Sequence, residues 1–105
     1  MDIELDKLDV VHNQHKEQFE VHIGDQMAVI KYRLAKGESI FTHTGVPAVF
    51  EGQGIAGKMA KVAVEYAKAE GLRIRPLCPY VAAYIKRHKE YQSITVGYEA
   101  QSNCR

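Results

Sequence analysis

Apolar and polar residues alternate through Phe19-Glu20-Val21-His22-Ile23. They alternate again from Met27 to Leu34, with Ala28, Ile30, Tyr32 and Leu34 on one face and Lys31 and Arg33 on the other. Period two marks a strand with one buried face. Gly24-Asp25 separates the two runs, a pair that favours a tight hairpin turn. Lys36-Gly37-Glu38 supplies the next turn, and Ile40-Phe41-Thr42-His43-Thr44 reads as a third strand, rich in β-branched and aromatic residues. Strict alternation there puts His43 on the same face as Phe41. Val46-Pro47 ends the strand, because proline cannot donate to a ladder and restricts the residue before it.

The period then changes. Ile55, Met59, Val62, Ala63, Tyr66 and Ala67 recur at steps of three and four, which is one face of a helix. Lys58, Lys61, Glu65 and Lys68 fall on its solvent side, and Gly71 suits the position just past its end. Leu72 to Leu77 predicts a short strand. Tyr80 to His88 predicts a second helix, with Val81, Tyr84, Ile85 and His88 on one side. Ser93 to Tyr98 is β-like again. Strands, helix, strand, helix, strand is the order of an α/β fold with a mixed sheet, and we expect a mostly antiparallel central sheet carrying two main helices.

Composition narrows the function classes. The chain has 105 residues, enough for one domain over residues 1–105. Hydrophobic residues make up 46% and charged residues 26%, an ordinary globular balance. A formal net charge of +1 gives no global electrostatic case for nucleic acid or an anionic membrane. No apolar run approaches the ~20 residues of a membrane span, and the acidic start at Asp2, Glu4 and Asp6 lacks a signal-peptide core. The expectation is a cytoplasmic or nuclear protein, monomeric because no association helix stands out. Cys78 and Cys104 are too few for a disulfide framework, and no Cys/His spacing resembles a zinc site.

The candidate chemistry starts at Glu51-Gly52-Gln53-Gly54-Ile55-Ala56-Gly57-Lys58. Glycines at 52, 54 and 57 allow positive φ and close approach of the backbone to a ligand. The helix N-terminus that follows presents unpaired N–H groups and the positive end of a dipole, so the segment is suited to phosphate. Lys58 adds a charge. Met59 follows that lysine, so this is not a Walker loop, which ends in Lys-Ser/Thr.

Glu51-Gly52-Gln53-Gly54-Ile55-Ala56 resembles motif A of the GCN5-related N-acetyltransferases, Arg/Gln-x-x-Gly-x-Gly/Ala, with Glu51 at the usual Arg/Gln position. Three further blocks, His43 to Pro47, Pro76 to Val81 and Tyr84 to Tyr91, are similar in order and content to the minimal single-domain branch of that family. The resemblance implies a compact GNAT-like fold and acetyl-CoA or coenzyme A as the bound cofactor. It implies an N-acetyltransferase moving acetyl to an amine acceptor, a protein lysine or a small amine. A non-catalytic CoA- or acyl-CoA-binding module is the alternative.

The same resemblance assigns the site. Val46, Gly52, Gln53, Gly54, Ile55, Ala56, Gly57, Lys58 and Tyr84 would bind the cofactor, with Thr44 and Val46 offering backbone groups to pantetheine. Larger family members carry a tyrosine about two turns into the helix after the cofactor-binding one, often the proton donor to the departing thiolate. Ile85 takes that place here and Tyr84 is one residue away. Cys78 and His43 are the expected catalytic pair. Cys78 precedes Pro79, a plausible first helical residue, and a helix N-terminus favours thiolate, the attacking form. His43 would be the base. Tyr80 and Tyr91 could join Tyr84 along a pantetheine channel, although core packing is the plainer use of three tyrosines.

Overall fold

A computed structural model of the chain describes residues 8–97. Five strands form one sheet in sequential order: β1 (Val11–Asn13), β2 (Gln18–Ile23), β3 (Gln26–Ala35), β4 (Glu38–Gly45) and β5 (Arg73–Pro76). The first four are antiparallel to their neighbours, and β5 runs parallel to β4. Helix α1 (Ile55–Ala69) is the crossover between β4 and β5, and α2 (Pro79–Arg87) follows β5. This is the mixed sheet with two helices that the periodicities predict.

The β2–β3 hairpin forms as the alternation requires. Phe19 and Val21 face Ile30 and Ala28 across the pair, all four buried. The inward face also carries Tyr32, Phe41 and Ile74, and α1 covers it with Ile55, Met59, Ala63 and Ala67. Two pattern-based assignments move. Leu34 lies beyond the edge of that cover and is 49% exposed. In α1, Ala60 and Val64 are buried, whereas Val62 is 37% exposed, so the buried stripe is rotated from the one the pattern predicts.

Helix α1 ends in a Schellman arrangement. Leu72 N donates to Ala67 O at 2.8 Å and Gly71 N to Lys68 O at 3.2 Å. Gly71 holds φ +71°, which an L-side chain adopts only at a cost. The first strand is absent from the sequence reading: three residues are too few to show a period. There His12 stacks on Phe19 with ring centroids 4.2 Å apart and bonds to the Tyr32 hydroxyl.

The predicted last strand is corrected. Lys89–Ile94 is a 3₁₀ segment, and β pairing survives only as a single bridge between Ile74 and Thr95. Tyr91 enters the core from this segment and its hydroxyl donates to Glu65 Oε2 at 2.5 Å. Tyr98 and Cys104 lie outside the described residues.

Candidate functional site

A β-bulge in β4 sets the site. The register steps from Tyr32 opposite Phe41 to Lys31 opposite His43, leaving Thr42 as the extra residue. Each residue after the bulge therefore changes face. Thr44 comes opposite buried Ile30 and turns to the helix side, while His43 comes opposite exposed Lys31 and is itself exposed. This corrects the expectation that His43 shares a face with Phe41. His43 and Cys78 are not brought together; Thr44 takes the place beside the thiol, with its Oγ1 3.1 Å from Cys78 Sγ.

The same strand opens a fork. Strands β4 and β5 pair from Glu38–Arg73 to Phe41–Pro76. Leu77 N and Cys78 N then both donate to the one carbonyl of Phe41, at 3.0 and 2.9 Å, and the chain turns into α2. Beyond that point no strand among the described residues lies against the β5-side edge of β4. Cys78 is the N-cap of α2 and Pro79 its first residue, as the dipeptide suggests. The first bond of this helix runs from Ala82 N to Cys78 O, so the amides of Tyr80 and Val81 have no intrahelical partner.

Opposite the fork lies the glycine loop. Pro47 starts a 3₁₀ turn, Ala48–Phe50, whose Phe50 is buried and pins the loop to the core. Gly52 has φ +83° and Gly54, the N-cap of α1, has φ +87°. The first bond of α1 runs from Lys58 N to Gly54 O, which leaves the amides of Gly54, Ile55, Ala56 and Gly57 without intrahelical partners. No acidic residue stands in that first turn to occupy them.

A cleft of about 440 Å³ joins the two halves. Gly52, Gly54, Ile55, Ala56 and Gly57 line one end, and Thr44 and Val46 line the strand side. Of the remaining sequence-predicted residues, Gln53 and Lys58 flank the cleft without lining it. Tyr84 is corrected. It is buried, stacked on His88 at 4.0 Å and on Tyr91 at 6.3 Å, and takes no part in the wall. Burial also raises its phenol pKa, with nearby Glu90 adding to the effect. Tyr80 is the tyrosine that reaches the cleft, its hydroxyl 3.5 Å from where a Cβ on Gly57 would lie. The helical period of Val81, Tyr84, Ile85 and His88 already pointed Tyr84 inward; only analogy with larger relatives pointed it to the ligand.

The glycine end of the cleft, whose lining also includes Glu51, presents backbone amides to a ligand. Free amides aimed at one end suit a pyrophosphate. The open strand edge at Thr44, with Val46 just past the strand, suits an amide-bearing arm, as pairing partners of a sheet edge do. Gly52, Gly54 and Gly57 have the glycine spacing of a dinucleotide-binding turn as well. However, β4 is antiparallel to β3, and β5 ends at Pro76 without the acidic residue that a ribose would need.

Comparison with known proteins agrees with this geometry. The family model described as GCN5-related N-acetyl-transferase matches residues 18–94. A protein called NATD1 from Xenopus tropicalis is 32% identical over 82 residues, covering 75% of each chain. The Homo sapiens NATD1 is 29% identical over 82 residues, covering 75% of this chain and 73% of its own. In solution, a GCN5-like candidate N-acetyltransferase from Staphylococcus aureus has a similar fold, with a TM-score of 0.69 at 27% identity, over 86% of this chain and 89% of that one. Glycine loop, forked sheet and sequence together place the chain in the GCN5-related N-acetyltransferase family.

Proposed function

We propose that this protein is an acetyl-CoA-dependent N-acetyltransferase that delivers acetyl to an amine. The observation that carries the reading is the cleft itself. It runs from unpaired amides at the start of α1 to the Thr44–Cys78 contact at the sheet fork. The amides of Gly54, Ile55, Ala56 and Gly57 would hold the pyrophosphate. The end of β4 at Thr44, with Val46 just past it, would hold pantetheine, which brings the thioester to the fork. Acetyl-CoA supplies an acyl group already activated by its thiol leaving group. The protein then has to orient that group, exclude water and manage two protons.

Gly57→Glu tests this without breaking the fold. Gly57 lies in the first turn of α1, where an acidic side chain favours the helix. The same charge in the cleft would repel phosphates. Calorimetric titration with acetyl-CoA should show micromolar binding to wild type and none to Gly57→Glu, with an unchanged or higher melting temperature. Absence of wild-type binding at millimolar acetyl-CoA refutes the reading.

The burial of Tyr84 favours a second reading, a CoA-binding module without turnover, because the cleft then lacks the tyrosine that larger relatives use as acid. Tight CoA binding with no CoA thiol released in the presence of amines would identify it.

A further inference from the structure

If acetyl transfer occurs here, a proton must reach the departing sulfur, and this inference rests on that reading. Of the described tyrosines near the fork, two are held in other contacts and the third lines the cleft with its hydroxyl at the glycine end. Tyr84 is stacked in the core, Tyr91 donates to Glu65, and the Tyr80 hydroxyl lies against Gly57 at the phosphate end. What stands at the fork is the Thr44 hydroxyl, with the Cys78 thiol 3.1 Å behind it and either atom able to donate. The order of the two matters. Thr44 lines the cleft; Cys78 does not, and only 4% of it is exposed. A ligand in the cleft meets the hydroxyl first. The thiol is shielded from an acyl carbon but remains in contact with the group that touches the ligand.

We propose that Thr44 and Cys78 form a two-step proton relay to the leaving thiolate, with Thr44 as the group in contact with substrate. The amine nitrogen attacks the acetyl carbonyl carbon and forms the C–N bond. When the tetrahedral intermediate collapses, the C–S bond breaks and its electron pair stays on the CoA sulfur. That sulfur takes the hydroxyl proton of Thr44, and Thr44 takes the thiol proton of Cys78. Cys78 is left as thiolate. The new amide nitrogen gives its extra proton to solvent, and Cys78 regains one from solvent after CoA departs. The net change moves one amine proton to the CoA sulfur.

Each member has a physical reason. An alcohol alone is too weak an acid to protonate a thiolate, whereas a second thiol is close to it in acidity, so the transfer is nearly balanced. The thiolate left behind belongs to the N-cap residue of α2, at the positive end of that helix's dipole, where negative charge is favoured. The Cys78 side chain makes no capping bond in α2, so its sulfur is available to Thr44.

The test is steady-state release of CoA thiol from acetyl-CoA with Nα-acetyl-lysine amide and a panel of small amines. Thr44→Val, nearly isosteric, should lower kcat about a hundredfold with KM for acetyl-CoA within about twofold, a loss typical of one general acid. Thr44→Ser should keep most of the activity. Cys78→Ala should match Thr44→Val, and the double variant should be no worse than either, since the pair acts as a unit. Tyr80→Phe should change KM rather than kcat. In a single turnover without amine, no acetyl should appear on Cys78 by mass spectrometry. Additive losses, or full activity of Thr44→Val with acetyl-CoA bound, would overturn the relay. So would an acetylated Cys78, which would make the thiol the nucleophile. These results leave the acetyltransferase reading intact. No thiol release by wild type, with every amine, sinks that reading and the relay together.

Discussion

Replacing Gly54 by alanine probes the strain on which the cradle is built. Gly54 holds φ +87° and ψ 4° as the N-cap of α1. A left-handed conformation costs an L-residue ~1–2 kcal/mol. The less flexible unfolded chain of the alanine variant returns ~0.4–1 kcal/mol. The net penalty in the cofactor-bound geometry is therefore ~1 kcal/mol. The free protein can meet it in two ways. It can keep the loop as it is and lose stability, or it can let the loop relax and misdirect the amides, which weakens binding. The sum is fixed by the geometry even though its division is not. Urea unfolding gives the first part and acetyl-CoA calorimetry the second, where 1.4 kcal/mol is tenfold in Kd. Gly54→Asn should recover much of the sum, because asparagine tolerates the left-handed region. Gly24→Ala is the control: Gly24 has φ +60° in the far hairpin, so stability should fall with binding unchanged. A Gly54→Ala protein with wild-type stability and wild-type affinity would refute the argument that the cradle needs this conformation.

Three further outcomes follow from the packing. Tyr91→Phe removes a 2.5 Å bond to the Glu65 carboxylate and should cost ~1.5 kcal/mol in urea unfolding; Glu65→Gln should recover part of it. Gly71→Ala breaks a Schellman turn held at φ +71° and should cost ~1 kcal/mol, read as a fall in melting temperature of about 4–8 °C. Burial lowers the pKa of His12 below its usual 6.5, so the unfolded chain takes up a proton first. Its contribution to stability is whole above about pH 6.5 and is lost as pH falls through the lower folded value. Melting temperature should drop between pH 7 and 5, before most carboxylates titrate, and His12→Phe, which keeps the stack on Phe19, should flatten that slope.

The fold was legible wherever burial follows a simple period. The β2–β3 hairpin and α1 each bury one face against the other, so Phe19, Val21, Met59 and Ala63 declare themselves by spacing. The glycine loop was legible because φ +83° at Gly52 and +87° at Gly54 demand that residue type. The bulge at Thr42 was not. A bulge changes the phase of a strand without changing its composition, and the register against β3 is information held by another part of the chain. Hence strict alternation puts His43 on the face of Phe41 and offers Thr44 only through its backbone. Tyr84 failed for a different reason: the pattern placed it in the core, and analogy overrode the pattern. The wrap at Lys89–Ile94 depends on Tyr91 finding Glu65, a contact 26 positions apart that no local signal announces.

The sheet order also bears on assembly. Strands β1 to β4 each pair with the next in sequence, so their contacts close short loops and can form early. The β4–β5 junction is different: it closes across the whole of α1, and only then can Leu77 and Cys78 meet Phe41. The fork thus depends on the longest loop closure in the sheet, and it is also where Thr44 meets Cys78. A meander of four strands could exist without a site, and opening of β5 and α2 alone would dismantle the chemistry while leaving the hairpins closed. In this small fold, the groups that would act on substrate are held by the sheet joint with the longest loop to close.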